Sequence, residues 1–385
     1  MRFVLQCALT LLLGLSAPAF AAQEPAFIVF DLQSGNVLAQ REAGRLWHPA
    51  SLTKLMTAYV TFKALRSGEV NDKTTVVVSK NALREPPAKM GYKVGTEIDL
   101  DQALKMMLVR SANDIAVAVA ETVGKGSEAA FIRRMNSEAR RLGLASTFYH
   151  NPHGLPDEKQ VTTARDLAVL SRQLWRDFPE YRPLFGIPAI KAGNKVLKSQ
   201  NTLLERFRGA NGMKTGFICD SGFNMVATAT RSGRNLAVVV LGSENARDRA
   251  ELAAKLLDDG FRGRLGGSKG SLTALYATKA RGPAVNMRDQ ICKKRERGEG
   301  EEDPVLASAA GRSALEPRFI LMDPVPVYPR TGTSRTRPAS NIPIPRPRPI
   351  LPHDAASSLE SDFDYGRFWP REAGDAGDGD PNGDF

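Results

Sequence analysis

The spacing of apolar positions changes period along the chain. Phe27-Ile28-Val29-Phe30 and Val37-Leu38-Ala39 are short apolar runs on either side of Ser34-Gly35-Asn36, which predicts a β-hairpin. From Ser51 onward, Leu52, Leu55, Met56, Tyr59 and Val60 recur at helical spacing, and Gly68 ends the segment. A second helix is predicted from about Asp99, with Leu104, Met107 and Leu108 on one face. It stops near Arg110, another begins around Asp114, and more are expected near 127–142 and 163–177. The pattern then becomes strand-like over 214–219, 223–230 and 236–241, interrupted by Asp220-Ser221-Gly222 and Ser232-Gly233. Val238-Val239-Val240-Leu241 is apolar enough to be buried on both faces. A helix over about 246–261 closes the unit. Strands at both ends with helices between them predict an α/β (α+β) domain over 23–262. Its antiparallel sheet is built from both termini, beside a helical cluster.

The flanks differ in kind. Arg2, the apolar run from Val4 to Leu15 and the small-x-small Ala19-Phe20-Ala21 make residues 1–21 an export signal cleaved after Ala21. Residues 263–279 read as a linker. Fourteen of the 24 prolines lie beyond Gly282, and 330–350 carries five Arg and no acid. Pro343-Ile344-Pro345-Arg346-Pro347-Arg348-Pro349 predicts extended polyproline, and the sign of charge reverses from Asp354. Residues 280–385 therefore read as a largely disordered Pro/Arg-rich, then acidic, tail. Asp378 to Asp384 imitates the start of a calcium loop but lacks its distal Glu, so no metal is expected there.

Two of the three cysteines, Cys219 and Cys292, would remain after cleavage. A disulfide between them would close a loop worth on the order of 4 kcal/mol in the chain-entropy model. Two separate thiols are the other reading. The net charge of +11 suits an anionic cell-wall polymer or membrane surface. No zinc-type spacing or RNA-binding signature accompanies it, so nucleic acid is not an expected partner. The tail's apolar runs are short and interrupted, so membrane contact has no clear anchor.

Three short motifs carry chemistry. Ser51 and Lys54 are three residues apart at the start of a helix, so their side chains share a face. A serine hydroxyl needs a base to become a nucleophile, and a lysine serves if its pKa is lowered. The competing reading is a capping serine with a solvated lysine. Ser111-Ala112-Asn113 falls between two helical patterns and is expected to be a tight, exposed connection. Ser111 there can relay a proton, and Asn113 offers an amide donor and a carbonyl acceptor. Lys214-Thr215-Gly216 is expected to begin a strand: a cation and a hydroxyl for a carboxylate, and a glycine where a substrate backbone approaches. His48, His150 and His153 invite comparison with a Ser-His-Asp triad. No nucleophile elbow is present and Lys54 already supplies a base, so His153 reads as structural. Phe62 and Met135 read as core.

In this order, and with Pro49 to Thr57, Asn211 to Phe217, Asn151-Pro152-His153-Gly154-Leu155 and Ser221-Gly222-Phe223-Asn224 around them, the motifs resemble the D-alanyl-D-alanine carboxypeptidases, the low-molecular-mass penicillin-binding proteins. The resemblance covers about 24–262, with Ala112 where close relatives often have Gly. It implies a β-lactamase/transpeptidase-like fold and a cofactor-free serine peptidase acting on the peptidoglycan stem peptide outside the cytoplasm. It implies Ser51 as nucleophile, Lys54 as base, and Ser111 with Asn113 completing the catalytic set. Lys214, Thr215 and Gly216 would bind substrate, the backbone N–H groups of Ser51 and Phe217 would form the oxyanion hole, and Arg249 would reach the substrate carboxylate. A surface Arg249 paired with Asp248 or Glu251 is the other reading. β-Lactam antibiotics would acylate Ser51. A D,D-endopeptidase, a β-lactamase using a separate Glu such as Glu158 or Glu180, and a non-catalytic wall-binding protein remain alternatives.

Overall fold

The computed structural model describes residues 23–266, 269–277, 280, 282–293, 313–319 and 322–330. The expected export signal, the expected polyproline stretch and the acidic end, including the calcium-like sequence, lie outside the described residues.

The first hairpin pairs β1 (Ala26–Asp31) with β2 (Val37–Arg41). A 3-10 turn (Ala50–Thr53) leads into α1 (Lys54–Arg66). A small hairpin of β3 (Thr75–Val77) and β4 (Glu97–Asp99) encloses α2 (Lys80–Arg84). Then come α3 (Leu100–Val109), α4 (Asn113–Val123), α5 (Glu128–Arg141), α6 (Ala164–Asp177) and the short α7 (Arg182–Phe185). A second small hairpin joins β5 (Ala189–Ala192) to β6 (Lys195–Lys198), and α8 (Leu203–Arg206) follows. The chain returns to the main sheet through β7 (Ala210–Ile218), β8 (Gly222–Arg231) and β9 (Arg234–Ser243), then α9 (Ala246–Phe261).

The main sheet is antiparallel, in the order β2-β1-β9-β8-β7, so β7 is an edge strand. Period-two alternation sends successive β9 residues to opposite faces. Ala237, Val239 and Leu241 join the helical core of α1, α3, α4 and α6. Leu236, Val238 and Val240 pack with Ala250, Ala253 and Leu257 of α9. The run expected to be buried on both faces is so.

Three departures matter. The Lys214 motif lies in the middle of β7, which begins at Ala210. Ser111, Ala112 and Asn113 are buried, not exposed, because the 86–91 loop folds over them. Finally, parts of the range read as a disordered tail are ordered against the domain. Cys292 is disulfide-bonded to Cys219, closing the option the sequence left open. Leu315 joins the α9 core, and β10 (Val325–Val327) pairs in parallel with β5. Arg330 bonds Asp99, Thr75 and the Lys73 carbonyl on the small hairpin. Proline and charge content argued for disorder locally, but these short stretches gain apolar, covalent and ionic contacts that composition does not register.

Candidate active site

The 3-10 turn explains why the first two residues meet. Side chains at i and i+3 eclipse in that geometry. Ser51 lies within the turn and Lys54 immediately follows it, opening α1. The turn has no side-chain cap bond, and Lys54 is fully buried, which removes the reading of a capping serine and a solvated lysine. Lys54 Nζ is 2.7 Å from Asn113 Oδ1, 2.7 Å from the His153 carbonyl oxygen and 3.0 Å from Ser51 Oγ. Burial, with Lys214 nearby, pushes its pKa well below the usual lysine range, while Asp114 and Glu85 oppose the shift. A neutral amine has two N–H bonds and one lone pair. Asn113 and His153 offer acceptors for both N–H groups, so the lone pair is left to face the Ser51 hydroxyl.

Asn113 is held in turn by the 86–91 loop. Its Nδ2 donates to the Pro86 carbonyl at 2.9 Å, and its backbone N–H to Ala88 at 2.7 Å. The buried Asp114 carboxylate accepts the backbone N–H groups of Met90 and Gly91 and fastens the far side of the loop. Ser111 has φ +64° and Ala50 φ +49°. Left-handed backbone at non-glycine residues costs on the order of 1–3 kcal/mol and collects at functional sites.

Opposite Lys54, Lys214 Nζ donates to Ser111 Oγ at 3.0 Å and to the Thr215 carbonyl at 2.9 Å. Burial, with Arg249 nearby, pushes its pKa down to about 7. Arg249 is itself buried, donates to the Gln200 carbonyl at 3.0 Å and lies 5.9 Å over the Phe223 ring. It is therefore not the surface arginine of the alternative reading. The Phe217 ring packs against Phe223, with centroids 4.2 Å apart and the planes tilted by 32°. A Cβ on Gly216 would stand 2.8 Å from the Ser51 backbone nitrogen. Only glycine lets β7 approach the Ser51 turn this closely.

Two segments singled out by resemblance turn out to support the turn and Lys54. Asn151 Oδ1 accepts the Gly154 N–H at 2.7 Å, shaping the loop that aims the His153 carbonyl at Lys54. The Pro152 carbonyl accepts Thr57 Oγ1 at 2.6 Å. Asn224 Nδ2 donates to the His48 carbonyl at 3.0 Å, bracing the chain just before the turn. The His153 ring does not form a serine triad. Leu155 N–H donates to Nδ1 at 3.1 Å, so Nε2 carries the proton and faces Glu85 Oε2 at 3.3 Å. Burial and Lys54 keep that ring neutral.

Glu85 was not anticipated as a neighbour of Lys54. It sits half-buried, with its pKa raised by burial and by Glu128. Glu180, by contrast, pairs with Arg66 at the far end of α1, roughly 18 Å along the helix from Lys54. Glu158 is exposed. Among the described residues, no group of three or more His, Cys, Asp or Glu could hold a metal.

The family model of the D-alanyl-D-alanine carboxypeptidases matches residues 14–245. The carboxypeptidase DacC of Escherichia coli K12 is 37% identical over 273 residues, covering 65% of this chain and 66% of its own. DacA of Haemophilus influenzae is 32% identical over 253 residues, 64% of each chain. The chain thus spans just under two thirds of the length of these curated relatives. Among solved structures, the carboxypeptidase DacD of Francisella tularensis superposes with a TM-score of 0.60 at 27% identity, over 63% of this chain and 71% of that one. Penicillin binding protein 6B of Escherichia coli gives 0.59 at 31%, over 63% and 80%. The sheet and the helical cluster have the β-lactamase/transpeptidase-like arrangement of these neighbours, and the chain belongs to the D-alanyl-D-alanine carboxypeptidase family, the low-molecular-mass penicillin-binding proteins.

Proposed function

We propose that the protein is a serine hydrolase that removes the terminal D-Ala from peptidoglycan stem pentapeptides. The observation that carries this reading is the buried Lys54 amine, with acceptors for both N–H groups and the Ser51 hydroxyl 3.0 Å away. Lys54 takes the hydroxyl proton as Ser51 Oγ bonds to the penultimate D-Ala carbonyl carbon. The oxyanion forms between the backbone N–H groups of Ser51 and Phe217, a kind of site that contributes about 3–4 kcal/mol of barrier lowering per donor. The C–N bond breaks as Ser111, bonded to Lys214 at 3.0 Å, gives its hydroxyl proton to the departing amine and takes in exchange the proton held by Lys54, which returns to the neutral amine. Water then adds to the ester with Lys54 again as base, and Ser51 regains its proton. Lys214, Thr215 and Arg249 form the cationic, hydrogen-bonding end that receives the substrate carboxylate. Asn113 and the open edge of β7 hold the peptide backbone.

β-Lactams would acylate Ser51 by the same route. The positions of Glu158 and Glu180 argue against a deacylating glutamate of the β-lactamase kind. The Cys219–Cys292 bond supports an oxidising, extracytoplasmic location. No helix among the described residues is long and apolar enough to cross a membrane. The test is product analysis on purified muropeptides. Release of free D-Ala from a pentapeptide monomer, without conversion of crosslinked dimers to monomers, is expected. Dimer cleavage with no D-Ala release would make it an endopeptidase.

A further inference from the structure

Residues 285–293 lie beyond the part of the chain matched by the family model, yet they are fastened to the backbone that carries the site. Val285 N–H donates to the Leu46 carbonyl at 3.0 Å, and Met287 N–H to Asp220 at 3.0 Å. Arg288 grips the Asp220 carboxylate at 2.8 and 3.3 Å. Gln290 Nε2 donates to Glu244 at 2.6 Å, and Cys292 is bonded to Cys219. Cys219 is the residue after β7, two positions from Phe217.

The buried Met287 lies at the centre of this fastening. Its Sδ would be 2.9 Å from a Cβ on Gly222 and 3.0 Å from one on Gly242, so it sits directly on both backbones. The Trp47 ring crowds the same Cβ position of Gly242, at 2.1 Å, and its Nε1 donates to the Ser221 carbonyl at 2.9 Å. From Trp47 the chain runs through His48, held by Asn224, to the Ser51 turn. The segment therefore reaches the backbone leading into each side of the proposed oxyanion hole, through Leu46 on the Ser51 side and through Cys219 and Asp220 on the Phe217 side.

We propose that 285–293 is a positioning element for acyl transfer: it sets the separation of the Ser51 turn from the end of β7, with the disulfide as its covalent fastener. This rests on the acyl-transfer reading. A tether that contributed stability alone would change the melting temperature. A positioning element also changes the acylation rate constant of molecules that remain folded, because sub-ångström errors in placement cost on the order of tenfold in rate.

The test uses the full mature chain and a fluorescent penicillin. The acylation rate constant is separated from the preceding binding constant by varying ligand concentration. Five forms are compared with oxidised wild type: the reduced protein, Cys292→Ser, Met287→Ala, Arg288→Lys and Arg288→Ala, each confirmed folded by circular dichroism. Met287→Ala keeps the disulfide and serves if reduction unfolds the chain. The expected result is acylation slowed about tenfold or more, binding changed less than about threefold, and Arg288→Lys faster than Arg288→Ala. Folded, lower-melting forms that acylate at the wild-type rate would overturn the proposal. Oxidised wild type that takes no label on Ser51 would instead remove the acyl-transfer reading beneath it.

Discussion

Replacing Gly154 by alanine strikes the geometry on which Lys54 depends. A Cβ there would lie 1.8 Å from the Ala50 carbonyl oxygen, 2.3 Å from its carbon and 2.9 Å from the Ser51 nitrogen. Contacts under 3.0 Å force movement, so the 154 loop and the Ser51 turn must separate by at least about 1.2 Å. Neither side is a flexible side chain. The residue also has φ +96°, which adds on the order of 1–3 kcal/mol of strain for alanine. The His153 carbonyl, one residue earlier, holds Lys54 Nζ at 2.7 Å, and Ser51 lies on the other side of the forced gap. A displacement of about 1 Å at a reacting pair costs roughly 100-fold in rate, or about 2.7 kcal/mol. Overpacking should lower stability by about 1–3 kcal/mol more. Stopped-flow acylation by a fluorescent penicillin, alongside thermal unfolding, measures both. The expected outcome is a folded protein acylating at least about 100-fold more slowly. A Gly154→Ala protein within threefold of wild type would refute the claim that this loop sets the Lys54–Ser51 geometry.

Three further outcomes follow from the same contacts. Lys54 must be neutral, so acylation should fall as pH drops through its lowered pKa; Lys214 must be cationic, so kcat/KM for a carboxylate-bearing substrate should fall as pH rises through about 7. A profile flat across both limbs would contradict the two roles. Glu85→Gln removes a negative charge that favours protonated Lys54, so the acid limb should move to lower pH; a shift upward would show that Glu85 acts otherwise. Gly216→Ala places a methyl 2.8 Å from the Ser51 nitrogen and should slow acylation roughly 10- to 100-fold with little loss of melting temperature. An unchanged rate would remove the need for glycine there.

The main helices and sheet strands were legible because each carries its own period. Val238 to Leu241 is apolar at every position, and α6 repeats its buried face over four turns. The Ser51–Lys54 pair was legible because three residues is one turn of either helix type. The β5–β6 hairpin went unnoticed although Gly193-Asn194 between two short runs is a two-residue turn signal. Burial of Ser111 to Asn113 could not be read, since polar residues between helices ordinarily face water. It depends on the 86–91 loop, which is fixed by Asp114 across the sequence. The role of His153 was equally hidden, because its backbone carbonyl, not its ring, meets Lys54. The ordering of 285–293 and 325–327 lay beyond local reading for a related reason. Val325-Pro326-Val327 contains a proline that argues against a strand, yet it pairs at the edge of a small sheet, where a missing donor is tolerated.

The most direct measurement is peptide mapping by mass spectrometry after incubation with benzylpenicillin, on wild type and on Lys54→Met. Wild type should carry one penicilloyl group, on the peptide containing Ser51, while the folded Lys54→Met protein should remain essentially unmodified. A label on another residue, or an equal rate of labelling without the lysine amine, would contradict the account.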